Sequence, residues 1–271
     1  MNPGDLGMIK ETVRLEWPRE NYARIVFARP EKHNAWRPKE LHGIARATEH
    51  VADRGARVVA IVAEGPSFAV GGDVEEFGRV AGSDEIRQWL RAGGAGVNSA
   101  IARLRGMDAA VIVGAQGLAA GGAPGYMWAG DFIIAADDLR INLAYVRIAA
   151  SPDAGTSWFL PRLANPLRAF ELLALGETID AQQALQWGLV NRVVPAAELH
   201  DRVDEMAERL LKVPALTLRN IKRLISTSLD TALETQLYRE IEAFSAAVAQ
   251  PEFGRLVKGF VDKSSRKTGQ G

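Results

Sequence analysis

Two glycine-rich stretches carry the pattern best suited to chemistry. They are residues 65–74, Gly-Pro-Ser-Phe-Ala-Val-Gly-Gly-Asp-Val, and residues 114–125, Gly-Ala-Gln-Gly-Leu-Ala-Ala-Gly-Gly-Ala-Pro-Gly. Each follows a short apolar run that reads as a buried strand, Val58 to Ala63 and Ala109 to Val113. Each turns on glycines where a strand gives way to a helix, and glycine leaves backbone N–H groups unobstructed by a side chain. Two such turns, each offering one N–H near a helix N-terminus, would make an oxyanion hole for a carbonyl that gains negative charge. The same residues also suit two ordinary tight strand-to-helix loops.

A third candidate is Asp153, in Pro152-Asp153-Ala154-Gly155. Aspartate before a helix is a preferred N-cap, and a carboxylate in an apolar pocket is also a suitable base. Both roles stay open on spacing alone. The four histidines form no set: His42 and His50 lie eight residues apart, too far for a shared metal. Ser151 and Ser157 flank Asp153 with no Gly-x-Ser-x-Gly elbow. The glycine loops lack a Walker lysine and a dinucleotide fingerprint.

The elements that must position these groups alternate between strand and helix. Residues 12–17 and 23–28 read as a strand pair around a polar turn, and Pro38 opens a helix with Leu41, Ile44, Ala45, Thr48 and Val51 at helical spacing. Residues 84–104 read as a helix interrupted at Gly93-Gly94. Strands follow at 109–115, 132–136 and 141–145, the last carrying Tyr145. Residues 155–175 read as two helical pieces split near Asn165-Pro166, Asp180 as an N-cap, and 189–194 as a last strand. The alternation argues for an α/β architecture with mostly parallel pairing. From residue 197 the pattern is helical, at 197–212, 215–228, 231–249 and 252–262. The expected division is therefore an α/β core over 1–196 and a helical region over 197–271.

The two glycine loops, the Pro152–Gly155 turn and the run from Ala184 to Val190 resemble the crotonase, or enoyl-CoA hydratase/isomerase, superfamily in order and spacing. The resemblance spans about residues 10 to 264. Around PDAGTSWFLPR the wording is most similar to the phenylacetate-pathway isomerase type, which converts a ring-epoxide CoA thioester to an oxepin. The resemblance implies a spiral of ββα units, with the helical tail packing across a homotrimer or a dimer of trimers. It implies an acyl-CoA thioester substrate, with coenzyme A part of the substrate and no separate cofactor.

Carried over residue by residue, the resemblance puts the oxyanion N–H groups on Gly72 and Gly122. The coenzyme A contacts fall on Lys32, Ala35, Val70, Gly72, Asp73, Val74 and Gly122, and on Phe260 and Lys263 from a neighbouring subunit. For Asp73 a helix-cap role competes, and for the lysines plain solvation. Hydratases of this family use two glutamates; Gly125 and Tyr145 stand at those positions here. Neither is a carboxylate base at neutral pH. The resemblance then implies Asp153 as the proton shuttle, since isomerases similar to this chain carry an aspartate at this spot. Tyr145 either hydrogen-bonds Asp153 or the substrate, or is a half-buried strand residue. Trp89, Trp128, Trp158 and Phe159 either line an acyl pocket or pack the core. Three rivals remain: a hydratase with atypical residues, an Asp153-nucleophile hydrolase or dehalogenase, and a CoA- or RNA-binding homologue without catalysis. The mixed charges of residues 38–54 argue against RNA.

The 271 residues are 47% hydrophobic and 24% charged with a net charge of zero, ordinary for a globular protein and without the basic excess of a nucleic-acid binder. Cysteine is absent, which excludes disulfides and a thiol nucleophile and fits a cytoplasmic protein. Met1 to Lys10 lacks the apolar core of a signal peptide, and no apolar run approaches the ~18–20 residues of a membrane span.

Overall fold

The computed structural model describes residues 12–268. They fall into two compact units that divide at Leu211 and Lys212.

The first unit is built on a six-stranded sheet. Its strands are β1 (Val13–Arg19), β2 (Tyr22–Phe27), β3 (Val58–Ala63), β4 (Ala110–Ala115), β6 (Phe132–Ala136) and β9 (Arg192–Val194), in that spatial order. β1 pairs antiparallel with β2, and every other neighbour is parallel. A smaller sheet holds β5 (Leu118–Ala120), β7 (Arg140–Asn142) and β8 (Thr178–Asp180). Helices α1 (Pro38–Asp53), α2 (Val74–Val80), α3 (Asp84–Gly106), α4 (Ala123–Met127), α5 (Thr156–Ala164), α6 (Pro166–Leu175) and α7 (Ala181–Gln186) connect them. Asp180 caps α7, its carboxylate accepting from the Gln183 amide at 2.8 Å.

The central strands read as continuous apolar runs because both sheet faces are covered. On β3, Val59, Ile61 and Ala63 join the larger core, whereas Val58, Ala60 and Val62 face a second cluster. That second cluster is closed by helix α8 (Leu199–Leu211), through Leu199, Val203, Met206 and Ala207. The Tyr22 hydroxyl on β2 donates to Asp204 Oδ1 of α8 at 2.6 Å, and the Arg24 guanidinium donates to Asp204 as well. The compact unit thus extends through Leu211, because a sheet with two apolar faces needs this helix to cover one of them.

Two local readings are corrected. α3 runs unbroken through Gly93-Gly94. A Cβ at Gly93 would lie 2.6 Å from Leu41 Cδ1 of α1, so that glycine serves close helix packing rather than a break. Tyr145 is not on a strand. β7 pairs with β5 only over residues 140–142, and the chain then enters a 3-10 turn, Ala144–Ile148. β5 has three residues, so beyond Asn142 the chain has no ladder to join. The short strands β5 and β8 and the helix α2 had no distinct pattern in the sequence.

The second unit holds α9 (Ala215–Ser228), α10 (Leu233–Val248) and α11 (Pro251–Thr268). α10 buries none of its side chains, and Leu233, Leu237, Ile241 and Phe244 form an exposed apolar stripe at helical spacing.

The link between β2 and α8 is open to a direct check. Tyr22→Phe removes a hydrogen bond to a carboxylate and should lower unfolding stability by about 1.5–3 kcal/mol. The check is the urea midpoint, with the dependence on urea unchanged.

Candidate active site

The two glycine loops lie side by side because their lead-in segments pair. Residues 67 and 69 bridge to residues 117 and 119. The Ala120 amide donates to the Ala69 carbonyl at 2.9 Å, and the Phe68 amide to the Gln116 carbonyl at 2.8 Å. Past this pairing the chains touch: a Cβ on Gly71 would sit 2.9 Å from the Gly122 nitrogen. Gly71 also has φ of +72°, which glycine adopts without strain. The contact leaves no room for a side chain between the loops.

Gly72 follows, flanked by two bonds to one residue. The Trp36 amide donates to the Gly71 carbonyl at 2.7 Å, and the Asp73 amide donates to the Trp36 carbonyl at 3.0 Å. Gly122 is the N-cap of α4. Among the described residues, neither the Gly72 nor the Gly122 N–H has a backbone partner. The two loops thus meet at Gly71 and Gly122, with Gly72 next in the chain, each at a strand-to-helix turn.

Asp153 faces the second loop. A Cβ on Gly122 would lie 2.8 Å from Asp153 Oδ1. The residue is exposed to solvent, with the Tyr145 hydroxyl and the Gly122 turn beside its carboxyl. It does not cap α5; the N-cap is Gly155, with no side-chain bond. Ala154 and Gly155 have φ of +47° and +77°, a left-handed pair that turns the Asp153 side chain away from the helix start. Burial pushes the Asp153 carboxyl above the usual carboxylate range, and a hydrogen bond from Tyr145 partly offsets that rise.

Tyr145, carried by the 3-10 turn, donates its hydroxyl to Asp153 Oδ1 at 2.9 Å and lies 3.3 Å from Thr156 Oγ1. Burial first, and then the Asp153 charge, push this phenol further up, so it is a protonated donor at neutral pH. Tyr145 is therefore partnered to Asp153 rather than a plain strand residue. Thr156 is fully buried and its role was not legible in the sequence: a Thr at the first position of a helix carries no distinct signal.

Gly125 is closed to any side chain. A Cβ there would lie 2.2 Å from the Ala154 carbonyl oxygen and 2.8 Å from Thr156 Oγ1. The helix α4 and the 153–156 turn occupy each other's side-chain space, so a glutamate at 125 has nowhere to go.

The remaining candidates separate. The Asp73 side chain is buried, capping the Glu75 amide at 3.2 Å and pairing with Arg29 at 3.0 Å. Ala35 is buried, and its carbonyl accepts from Arg29. Lys32 is exposed and ion-paired with Glu75 at 2.8 Å, joining the loop after β2 to α2. Val70 is half-buried and Val74 exposed. Phe260 is exposed on α11 in the second unit; Lys263 lies on the same helix, with its side chain outside the described residues. Trp128 is core, its indole donating to the Leu189 carbonyl. Phe159 is buried against Gly155, and Trp158 is exposed under Arg162. Trp89 packs edge-on to Phe77 at 4.7 Å, and Phe77 lies against Gly72. One Ser–His contact does exist: Ser67 Oγ is 2.9 Å from His33 Nδ1, though Ser67 is buried and no carboxylate is bonded to the histidine among the described residues.

Comparison with known proteins agrees with this geometry. The enoyl-CoA hydratase/isomerase family model matches residues 19–270. 4-Chlorobenzoyl coenzyme A dehalogenase-2 of an Arthrobacter species is 29% identical over 250 residues, covering 92% of this chain and 90% of that protein. The 1,2-epoxyphenylacetyl-CoA isomerase of Escherichia coli K12 is 32% identical over 168 residues, covering 62% of this chain and 64% of the other. A putative enoyl-CoA hydratase of Thermobifida fusca YX, solved in complex with CoA, has a TM-score of 0.81 at 29% identity, covering 92% and 96% of the two chains. With paired glycine loops, a mostly parallel sheet and a family match over nearly its whole length, the chain belongs to the enoyl-CoA hydratase/isomerase family.

Proposed function

We propose that this family member is an acyl-CoA isomerase. The Gly72 and Gly122 amides hold the thioester carbonyl oxygen, and Asp153 takes a proton from one acyl or ring carbon and returns it to another. The intermediate is an enolate, whose negative oxygen the two amides stabilise. Tyr145 holds the Asp153 carboxylate and favours its charged form. The observation that carries the reading is the Tyr145–Asp153 hydrogen bond beside Gly122, with the space at Gly125 closed. A raised carboxyl pKa suits carbon-acid chemistry, where a stronger base is needed.

A second reading is favoured by one observation, the likeness to the Arthrobacter dehalogenase. There Asp153 would be a nucleophile: its oxygen bonds to the acyl group, a leaving group departs with its electron pair, and water then cleaves the ester. Turnover in 18O-water leaves label in Asp153 on that path and none on the isomerase path.

Assembly into a trimer or dimer of trimers is supported by the apolar stripe on α10, whose side chains stay exposed. Light scattering should give a mass that is a multiple of three chains.

The direct test uses 2-enoyl, 3-enoyl and phenylacetyl-type CoA thioesters. Products of unchanged mass are expected, and a product heavier by one water would instead mean hydration. Asp153→Asn should lower kcat by about 10²–10⁴-fold, the usual contribution of a general base. Because the folded carboxyl lies above its unfolded value, its charging opposes folding as pH rises through that interval. The same variant should therefore unfold at neutral pH no earlier than wild type, as read by calorimetry.

The acid limb of kcat should lie above the ordinary aspartate value of 3.8. Tyr145→Phe removes a bond that favours the charged form, so the limb should move to higher pH; a pH–rate profile reads the shift. Gly125→Glu should cost about 2 kcal/mol or more through overpacking against the Ala154 carbonyl. It should not confer hydration of crotonyl-CoA, as read by absorbance.

A further inference from the structure

We infer that the buried Arg29–Asp73 ion pair is a positioning device that aims the Gly72 N–H at the thioester oxygen. The inference rests on the reading of Gly72 as an oxyanion donor.

One peptide plane sets the direction of this donor. The Gly71 carbonyl and the Gly72 N–H belong to the same trans peptide, so they point in opposite directions. Whatever holds the carbonyl sets the direction of the N–H. Here the holder is Trp36, whose amide donates to the Gly71 oxygen at 2.7 Å and whose carbonyl accepts from the Asp73 amide at 3.0 Å. The two bonds straddle Gly72. They fix its plane and send its N–H away from Trp36. A hydrogen bond to the carbonyl also polarises the peptide and strengthens its N–H as a donor.

Trp36 cannot hold this position by itself, since it lies on a connecting segment. His33 and Asn34 just before it have φ of +50° and +55°, a conformation that persists only where the surroundings enforce it. The enforcement centres on Arg29. One guanidinium nitrogen donates to the Ala35 carbonyl and to Asp73 Oδ2, each at 3.0 Å, and the Arg29 amide donates to Asn34 Oδ1 at 2.8 Å. Asn34 in turn donates to the Glu64 and Ser67 carbonyls. Arg29 therefore grips both sides of the Trp36–Gly72 contact, at Ala35 and at Asp73.

Both charged side chains are under a tenth exposed, at 8% and 7%. Arg29 holds the Asp73 carboxyl below its usual range against the opposing effect of burial. A buried ion pair is a weak source of stability, because apolar residues of the same volume serve as well. What the pair supplies that apolar residues cannot is direction.

The test reads the bound carbonyl itself. Hexanoyl-CoA, with 12C or 13C at the thioester carbon, is the probe for isotope-edited infrared difference spectra. The proteins are wild type, Arg29→Lys and the double variant Arg29→Met/Asp73→Asn. Lysine keeps the charge but gives up the rigid planar guanidinium that sets one nitrogen between the Ala35 and Asp73 acceptors. The double variant leaves no buried charge unpaired and retains a capping side chain. Wild type should lower the carbonyl frequency on binding, and both variants should lose most of that lowering. Their kcat should fall about 10- to 100-fold, less than the loss of a whole donor, with KM within about threefold. An unlowered frequency in wild type would overturn the oxyanion reading, and this inference with it. A lowered frequency preserved in folded variants, or a loss residing wholly in KM, would overturn the positioning role and leave the oxyanion reading standing.

Discussion

The site depends on the contact between two backbones. The segments before the glycine loops pair through residues 69 and 119, and the loops that follow come within van der Waals distance. A side chain on Gly71 would block that approach, and one on Gly122 would press on Asp153 and Ala154, so packing bears on both glycines before any chemistry is considered. Two amides then fall at neighbouring helix starts, where charge on a ligand is best accommodated. The parallel sheet serves this contact. β3 and β4 are adjacent and parallel, so their following loops leave from the same edge.

The third loop brings the side chain that the two amides lack. Its left-handed Ala154 and Gly155 turn the Asp153 carboxyl toward Gly122 rather than the first amides of α5. The same turn places the Ala154 carbonyl over Gly125. One loop conformation therefore supplies an aspartate and excludes a glutamate. Burial raises the carboxyl pKa and the hydrogen bond from Tyr145 restrains the rise, which makes Asp153 a stronger base than a solvated aspartate.

The family, the glycine loops and most elements were legible because they rest on local pattern: apolar runs for β3 and β4, Pro38 at a helix start, Asp180 at a cap. The reading was less complete where long-range packing decides. Gly93-Gly94 looks like a break until Leu41 is seen against it. Tyr145 looks like strand until the length of β5 limits the ladder. Asp153 satisfies the pattern of a cap, and only the φ values of the next two residues show that it is not one. The Arg29–Asp73 pair spans 44 positions and the Ser67–His33 contact 34, so no spacing rule would have linked them. Helix α8 reads as part of a helical tail, yet its apolar face belongs to the sheet.

The central claim is that Asp153 carries a proton between carbons of a thioester held on two backbone amides. Turnover of 3-enoyl and 2-enoyl CoA thioesters in heavy water, with products resolved by mass and by carbon position, tests it most directly. Isomerised product is expected from wild type and not from Asp153→Asn, with deuterium at the carbon that gains the proton to the extent that the Asp153 proton exchanges with solvent before its return. Isomerised product formed equally well by the variant, or a product heavier by one water, would contradict it.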